Sequence, residues 1–79
     1  MSSKQPYAGY ILSPEPVERD GVFTPRVVIE WHEHGSDHFQ EVADDPAVRF
    51  AALEDAERAS INFGMALIDS WIREGGGRH

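Results

Sequence analysis

The stretch Leu53–Arg73, LEDAERASINFGMALIDSWIR, decides the fold of this chain because its apolar residues recur at intervals of three and four. Such spacing places side chains on one side of a helix. Glu54 and Asp55 near the start and Arg73 at the end complement the helix dipole. The glycines at 75–77 stop the helix. The sequence therefore predicts one long C-terminal helix.

This helix carries two apolar seams, although covering a small sheet requires only one. The first seam comprises Leu53, Ala56, Ser60, Phe63, Leu67 and Trp71. The second seam comprises Ile61, Met65, Ile68 and Ile72. The second seam lies roughly 80–100° away around the helix, whereas a surface helix usually buries a stripe of about 100° or a little more. We assign the first seam to the sheet, and the second seam then needs another cover.

Two covers for the second seam are compatible with the sequence. In the first, the N-terminal segment folds back over the seam, since small domains often wrap terminal segments over a core. That segment supplies the apolar side chains Tyr7, Tyr10, Ile11 and Leu12. In the second, the seam binds another copy of the chain or a different protein, because contiguous exposed apolar patches usually mark interaction sites. The predicted partner-binding residues are then Ile61, Met65, Ile68 and Ile72.

Three strands are predicted before the helix. The first is the apolar and aromatic run at residues 7–12, followed by a turn at Gly21. The second covers residues 22–32, with Pro25 at an edge or a bulge. The third covers residues 38–43. The expected fold class is α+β, with a three-stranded antiparallel sheet packed on one long C-terminal helix.

Alternation along the strands predicts which side chains face the helix. In the second strand the inward set is Phe23, Val27, Ile29 and Trp31. In the third strand Phe39 is the expected inward anchor. The opposite, outer face of the sheet would show Thr24, Arg26, Val28, Glu30, His32 and Gln40.

The composition indicates a single domain over residues 1–79, with a flexible lead at 1–6 and a disordered tail at 75–79. The chain has no cysteine, which excludes disulfides, thiolate metal sites and thiol catalysis. No apolar run approaches the ~20 residues of a membrane span, and the polar N-terminus lacks the apolar core of a signal peptide. We therefore expect a cytoplasmic protein with no membrane partner.

The charge balance bears on nucleic-acid binding. The chain has 14 acidic and 7 basic residues, for a net charge of −7. Nucleic-acid binding depends on Lys and Arg to displace counterions from phosphates, and here the basic residues are spread without a cluster. The sequence therefore disfavours a nucleic acid as partner.

One cluster of possible metal ligands occurs in the segment WHEHGSDH at residues 31–38. Its three imidazoles, His32, His34 and His38, are candidate ligands for zinc, nickel or copper. The alternative is a polar hairpin loop whose histidines are solvated, because spacing alone does not make ligands converge. The acidic pairs lie in predicted loops or at the helix start, where their carboxylates are solvated. We therefore predict no metal, no cofactor and no catalytic residue.

The order of a few short motifs supports a resemblance. Tyr7-x-Gly9-Tyr10, Pro25-Arg26-Val27, and Phe50 ahead of an Ala-rich helix with Phe63-Gly64 and Ile68-Asp69 follow one another along residues 7–72. In this order the chain resembles a group of small uncharacterised bacterial proteins of unknown function, some of them encoded near prophage genes. The resemblance implies the same β-β-β-α layout and no assigned activity. The layout is also similar to the DNA-reading sheet-plus-helix domains of phage integrases and of plant AP2 proteins.

These observations together predict a small non-enzymatic interaction module. It would form a homodimer or dock on another protein through the second seam of the helix. The alternative function is that of a nucleic-acid-associated accessory protein that uses the outer face of the sheet. On that face one arginine stands beside a glutamate in acidic surroundings, which disfavours the alternative.

Overall fold

The computed structural model describes residues 4–74 and has an α+β architecture, with a C-terminal helix packed on antiparallel strands. The strands are β1 (Gln5–Tyr7), β2 (Tyr10–Pro14), β3 (Val17–Arg19), β4 (Val22–Thr24), β5 (Arg26–Glu33) and β6 (Ser36–Ala43). The helix α1 spans Leu53–Arg73, in agreement with the prediction from the sequence. The predicted tail at 75–79 lies outside the described residues.

The main sheet has four strands in the order β1-β2-β5-β6, so the predicted number of three is wrong. Two breaks in the chain explain the difference. A turn at Ala8 and Gly9 divides the predicted strand 7–12 into β1 and β2, and Pro25 divides the predicted strand 22–32 into β4 and β5. Proline has no N–H to donate to a ladder, so it interrupts a strand. β4 pairs instead with β3 in a separate two-stranded sheet.

The turn between β1 and β2 had no clear signal in the sequence. Ala8 and Gly9 both have positive φ, 52° and 88°, which is the geometry of a type I′ hairpin turn. Alanine seldom adopts positive φ, so an Ala-Gly pair in a sequence does not predict such a turn. As a consequence Gln5 and Pro6, which the sequence assigned to a flexible lead, belong to β1. Residues 1–3 of that lead lie outside the described residues.

The face of the sheet that meets the helix follows the predicted alternation in β5 but not in β6. Val27 and Ile29 are fully buried, as expected. Phe39 is 71% exposed, so its prediction as an inward anchor is wrong. The register pairs Ile29 with Gln40 and Glu30 with Phe39, which turns Gln40 to the helix side and Phe39 to the outer face. A shift of register by one residue exchanges the two faces of a strand, and the sequence did not fix that register.

The core lies between β2, β5 and α1. Leu12, Val27, Ile29 and Ile68 are all fully buried. Tyr10 from β2, Trp31 from β5 and Trp71 from α1 extend the core with mutual ring contacts, with centroids 5.8–6.4 Å apart. Aromatic pairs at these separations contribute roughly 0.5–1.5 kcal/mol beyond their buried area. The core therefore closes with residues from both ends of the chain.

The rotation of α1 on the sheet is set at Gly64. A Cβ at this position would lie 3.0 Å from Leu12 Cδ2 and 3.2 Å from Val27 Cγ2, so the helix backbone rests directly on these side chains. The buried face of the helix is Ala56, Ser60, Gly64, Ile68 and Trp71. This face lies between the two predicted seams, because Gly64, which belongs to neither seam, is turned toward the sheet.

The hydroxyl of Ser60 joins the helix to the sheet beside the proline break. Ser60 Oγ donates to the Ala56 carbonyl at 2.8 Å. It also accepts the N–H of Arg26 at 3.1 Å. Next to the break at Pro25 this N–H has no acceptor in a neighbouring strand, and the Ser60 hydroxyl oxygen accepts its hydrogen bond instead.

Candidate interaction site

The second seam of the helix is narrower than the sequence predicted. Ile68 is fully buried in the core, so its assignment to an exposed partner surface is corrected. Ile61 and Met65 are half-buried against the core, and Ile72 is 49% exposed. The remaining surface, Ile61, Met65 and Ile72, is named here the helix flank. The predicted wrap of the N-terminal segment over this seam does not form as such, since β2 pairs within the sheet beneath the helix. Cover of the seam by another protein stays a prediction.

Tyr7 borders the helix flank from the sheet side. Its hydroxyl donates a hydrogen bond to Asp69 Oδ1 at 2.6 Å, which ties β1 to the helix. Asp69 lies four residues after Met65 and three before Ile72, so it adjoins the flank on the helix surface. The hydrogen bond to Asp69 raises the pKa of Tyr7, with desolvation and the Asp69 charge acting in the same direction. The chain itself therefore limits the flank on one side.

The strand β6 presents a second surface, because it forms one edge of the main sheet. Asp44, which follows β6, donates its N–H to the Pro25 carbonyl at 3.1 Å and therefore faces β5. Consecutive strand residues direct their backbone groups to alternate sides. The residues that face away from β5 are therefore Asp37, Phe39, Glu41 and Ala43. Within residues 4–74, β6 has no second strand on that side, and no backbone hydrogen bond outside the sheet ladders uses their N–H or C=O groups.

This free edge also carries the most exposed of the large apolar side chains described. Phe39 is 71% exposed on the outer face of the sheet, opposite Glu30. Asp37 and Glu41, two residues to either side, are exposed and acidic. β6 has eight residues with neither proline nor lysine, the residues that commonly protect an edge strand from pairing. The edge therefore combines free backbone groups with an apolar side chain.

The three candidate metal ligands do not converge. His32 stands opposite Asp37, with Nδ1 2.8 Å from Asp37 Oδ1, on the outer face of the sheet. His38 lies on the other face and stacks on Trp31 with ring centroids 5.6 Å apart. His34 occupies the two-residue turn between β5 and β6 at φ 54°. Residues 4–74 contain no group of three or more side chains placed to hold a metal ion.

A cleft beside the β3–β4 hairpin reaches the end of the β6 edge at Ala43. It has a volume of 490 Å³ and is lined by Val17, Arg19, Asp20, Val22, Thr24, Ala43, Asp44, Pro46 and Arg49. Two arginines and two aspartates line it, so the lining carries no net charge that would select a charged ligand. No nucleophile paired with a general base lines it, which leaves no acyl- or phosphoryl-transfer chemistry to assign there.

Comparison with known proteins gives no relative: no protein-family model, no curated protein and no solved structure matches the chain. The resemblance to small bacterial proteins therefore stays a prediction. In the part of the chain that the structure describes, α1 is too polar to cross a membrane.

The edge of β6 was not among the candidate sites predicted from the sequence. Two signals pointed to it, namely the His34-Gly35 pair, both with positive φ in the structure, and the unbroken run from Ser36 to Ala43 without proline. A two-residue turn makes β5 and β6 immediate neighbours. Which strand ends a sheet depends on the pairing of β2 with β5, and no local pattern encodes that pairing.

Proposed function

We propose that this protein is a small, non-enzymatic, cytoplasmic interaction module that acts as a homodimer. The observation that carries the proposal is the 71% exposure of Phe39 on an edge strand of a domain whose core is already closed. Exposed apolar surface next to free backbone groups favours association with another chain. The bacterial origin implied by the resemblance is part of the same proposal.

The magnitudes favour the sheet edge over the helix flank as the main contact. Burying one large apolar side chain contributes roughly 1.5–3 kcal/mol, whereas association costs an estimated ~4–15 kcal/mol. Ile61 and Met65 are already half-buried, so the helix flank gains little beyond Ile72. A dimer therefore needs a further contribution, and strand pairing supplies it through backbone hydrogen bonds at about 1 kcal/mol each.

Sedimentation velocity across a range of concentrations tests this proposal. The wild-type chain is expected to change from one copy to two as its concentration rises into the micromolar range. Phe39→Glu should abolish the change, whereas Ile72→Glu should have a small effect. Leu53→Glu is the matched control, because Leu53 is 40% exposed but belongs to neither surface. A wild-type protein that stays a monomer at every concentration contradicts the proposal.

The nucleic-acid alternative gains no support from the outer face of the sheet. Lys4 forms an ion pair with Glu30 at 3.4 Å, and Arg26 forms one with Glu15 at 3.4 Å. Gln40, expected on this face, stands opposite Ile29 on the helix side. A face whose cations are already paired with carboxylates has little positive potential to offer phosphates.

A further inference from the structure

We infer that two copies of this chain pair along β6 in antiparallel orientation, with Gln40 on the two-fold axis. The inference rests on the proposed self-association and adds the surface and the register. The occupant of the free edge is a second copy because the edge, with its acids and its apolar residue, complements itself in one register. Two four-stranded sheets would then join into one sheet across the axis.

The backbone of β6 limits the possible registers. The two-residue turn His34-Gly35 closes on the pair Glu33–Ser36, which is hydrogen-bonded in such hairpins. Counting from that pair, the groups that point outward are again those of the odd-numbered residues from Asp37 to Ala43, in agreement with the bond from Asp44 to Pro25. Two antiparallel copies can share hydrogen bonds only when outward residues stand opposite outward residues. The axis must therefore pass through a single residue and not between two.

Charge then decides between the two registers that use most of the strand. With Phe39 on the axis, Asp37 of one copy stands opposite Glu41 of the other, and like charges directly opposite each other destabilise a pair of strands. With Gln40 on the axis, Glu41 stands opposite Phe39. In the same register Asp37 stands opposite Ala43. The second register moves the acids from directly opposite to diagonal positions, where Glu41 of one copy lies diagonal to Asp37 and Glu41 of the other. It also covers part of each exposed phenyl ring.

The position of Gln40 also suits a two-fold axis. Its own backbone groups bind β5, so across the axis the two Gln40 residues form a non-hydrogen-bonded pair with Cα atoms about 4.5 Å apart. Its side chain is half-buried on the helix side of the sheet. A glutamine amide both donates and accepts hydrogen bonds, so two of them facing each other can satisfy each other.

Single-cysteine crosslinking tests the register, because the chain has no cysteine of its own. A disulfide requires Cα atoms roughly 4.4–6.8 Å apart, which the axis position provides. The variants are Gln40→Cys, Phe39→Cys, Ile72→Cys and, as a control for random collisions, Leu53→Cys. Each is oxidised mildly at a concentration where the wild-type chain is a dimer, after circular dichroism of the reduced variant has verified its fold. Gln40→Cys is expected to crosslink at least tenfold faster than the other three.

The remaining outcomes separate failure of this inference from failure of the proposed function. If Phe39→Cys crosslinked faster than Gln40→Cys, residue 39 and not Gln40 would lie on the axis, and the proposed register would be overturned. Preferential crosslinking of Ile72→Cys in a dimeric protein would move the contact to the helix flank, so the inference fails while the homodimer stands. If the wild-type chain is a monomer and all four variants crosslink at the collision rate, both the inferred register and the proposed homodimer are wrong.

Discussion

The two edges of the main sheet differ in how they are protected. β1 has three residues and carries Pro6. The pair Tyr7–Tyr10 closes the hairpin, so the backbone of the neighbouring Pro6 faces away from β2. A strand residue on that free side needs no N–H, which makes the position suitable for proline. β6 has eight residues and no proline, and only the charges of Asp37 and Glu41 oppose pairing along it. A short edge with proline resists pairing with another chain, whereas a long edge without it invites pairing. The difference supports the proposal that two copies pair along β6 and not along β1.

The largest expected effect comes from a proline on the open edge. Glu41→Pro removes an N–H that points away from β5, so the protomer keeps its own ladder while each copy loses one bond across the axis. The lost bonds and the bulk of the ring should weaken the dimer by roughly 100-fold, or about 2.7 kcal/mol. Analytical ultracentrifugation measures the change in the dissociation constant.

Gln40→Pro is the matched control for this substitution. Its N–H points to β5, opposite Ile29, so its removal damages the protomer itself. The free energy of unfolding should fall by about 1–3 kcal/mol, as measured by denaturant titration. If the two proline variants destabilised the protomer equally, the assignment of inward and outward residues in β6 would be wrong.

An intermediate effect is expected from salt. Each copy carries a net charge of −7, so two copies repel each other as they join. The screening length falls from about 30 Å at 0.01 M salt to about 8 Å at 0.15 M. The dimer should therefore become roughly tenfold tighter over this range, on the order of 1.4 kcal/mol. Dimerisation that weakens with salt would instead indicate attraction between opposite charges.

The smallest effect concerns the protected edge. Tyr7→Phe removes the hydrogen bond to Asp69 and should loosen β1 without changing the mass of the assembly. Because this bond raises the pKa of Tyr7, its contribution to stability is fully present below the ordinary value of 10.0 and is lost as the pH rises through the raised value. Denaturant titrations of both proteins should therefore differ at pH 7 and converge at strongly alkaline pH.

The sequence predicted the parts of this fold that depend on local patterns. The bounds of α1 and the inward side chains of β5 follow from periodicity over a few residues. The facing of Phe39 and the burial of Ile68 depend on the register of β6 and on the contact of Gly64 with Leu12. The first is set by the two-residue turn at His34-Gly35, which was not predicted from the sequence, and the second by residues distant in the chain. The candidate site moved from helix to sheet for these two reasons.

The proline break between β4 and β5 has a consequence for the order in which the chain folds. The turn at Asp20 and Gly21 closes β3 on β4, and the bond from the Glu15 N–H to the Arg26 carbonyl, 2.8 Å long, continues the ladder toward β2 and β5. The pairing of β2 with β5 can therefore proceed from this turn outward, without the closure of a long open loop.

The other two hairpins of the main sheet form from neighbouring residues in the same way. Local pairing avoids much of the loop-closure entropy that slows β-rich proteins. We expect the sheet to assemble before α1 docks, so the free edge of β6 is present while the core is still open.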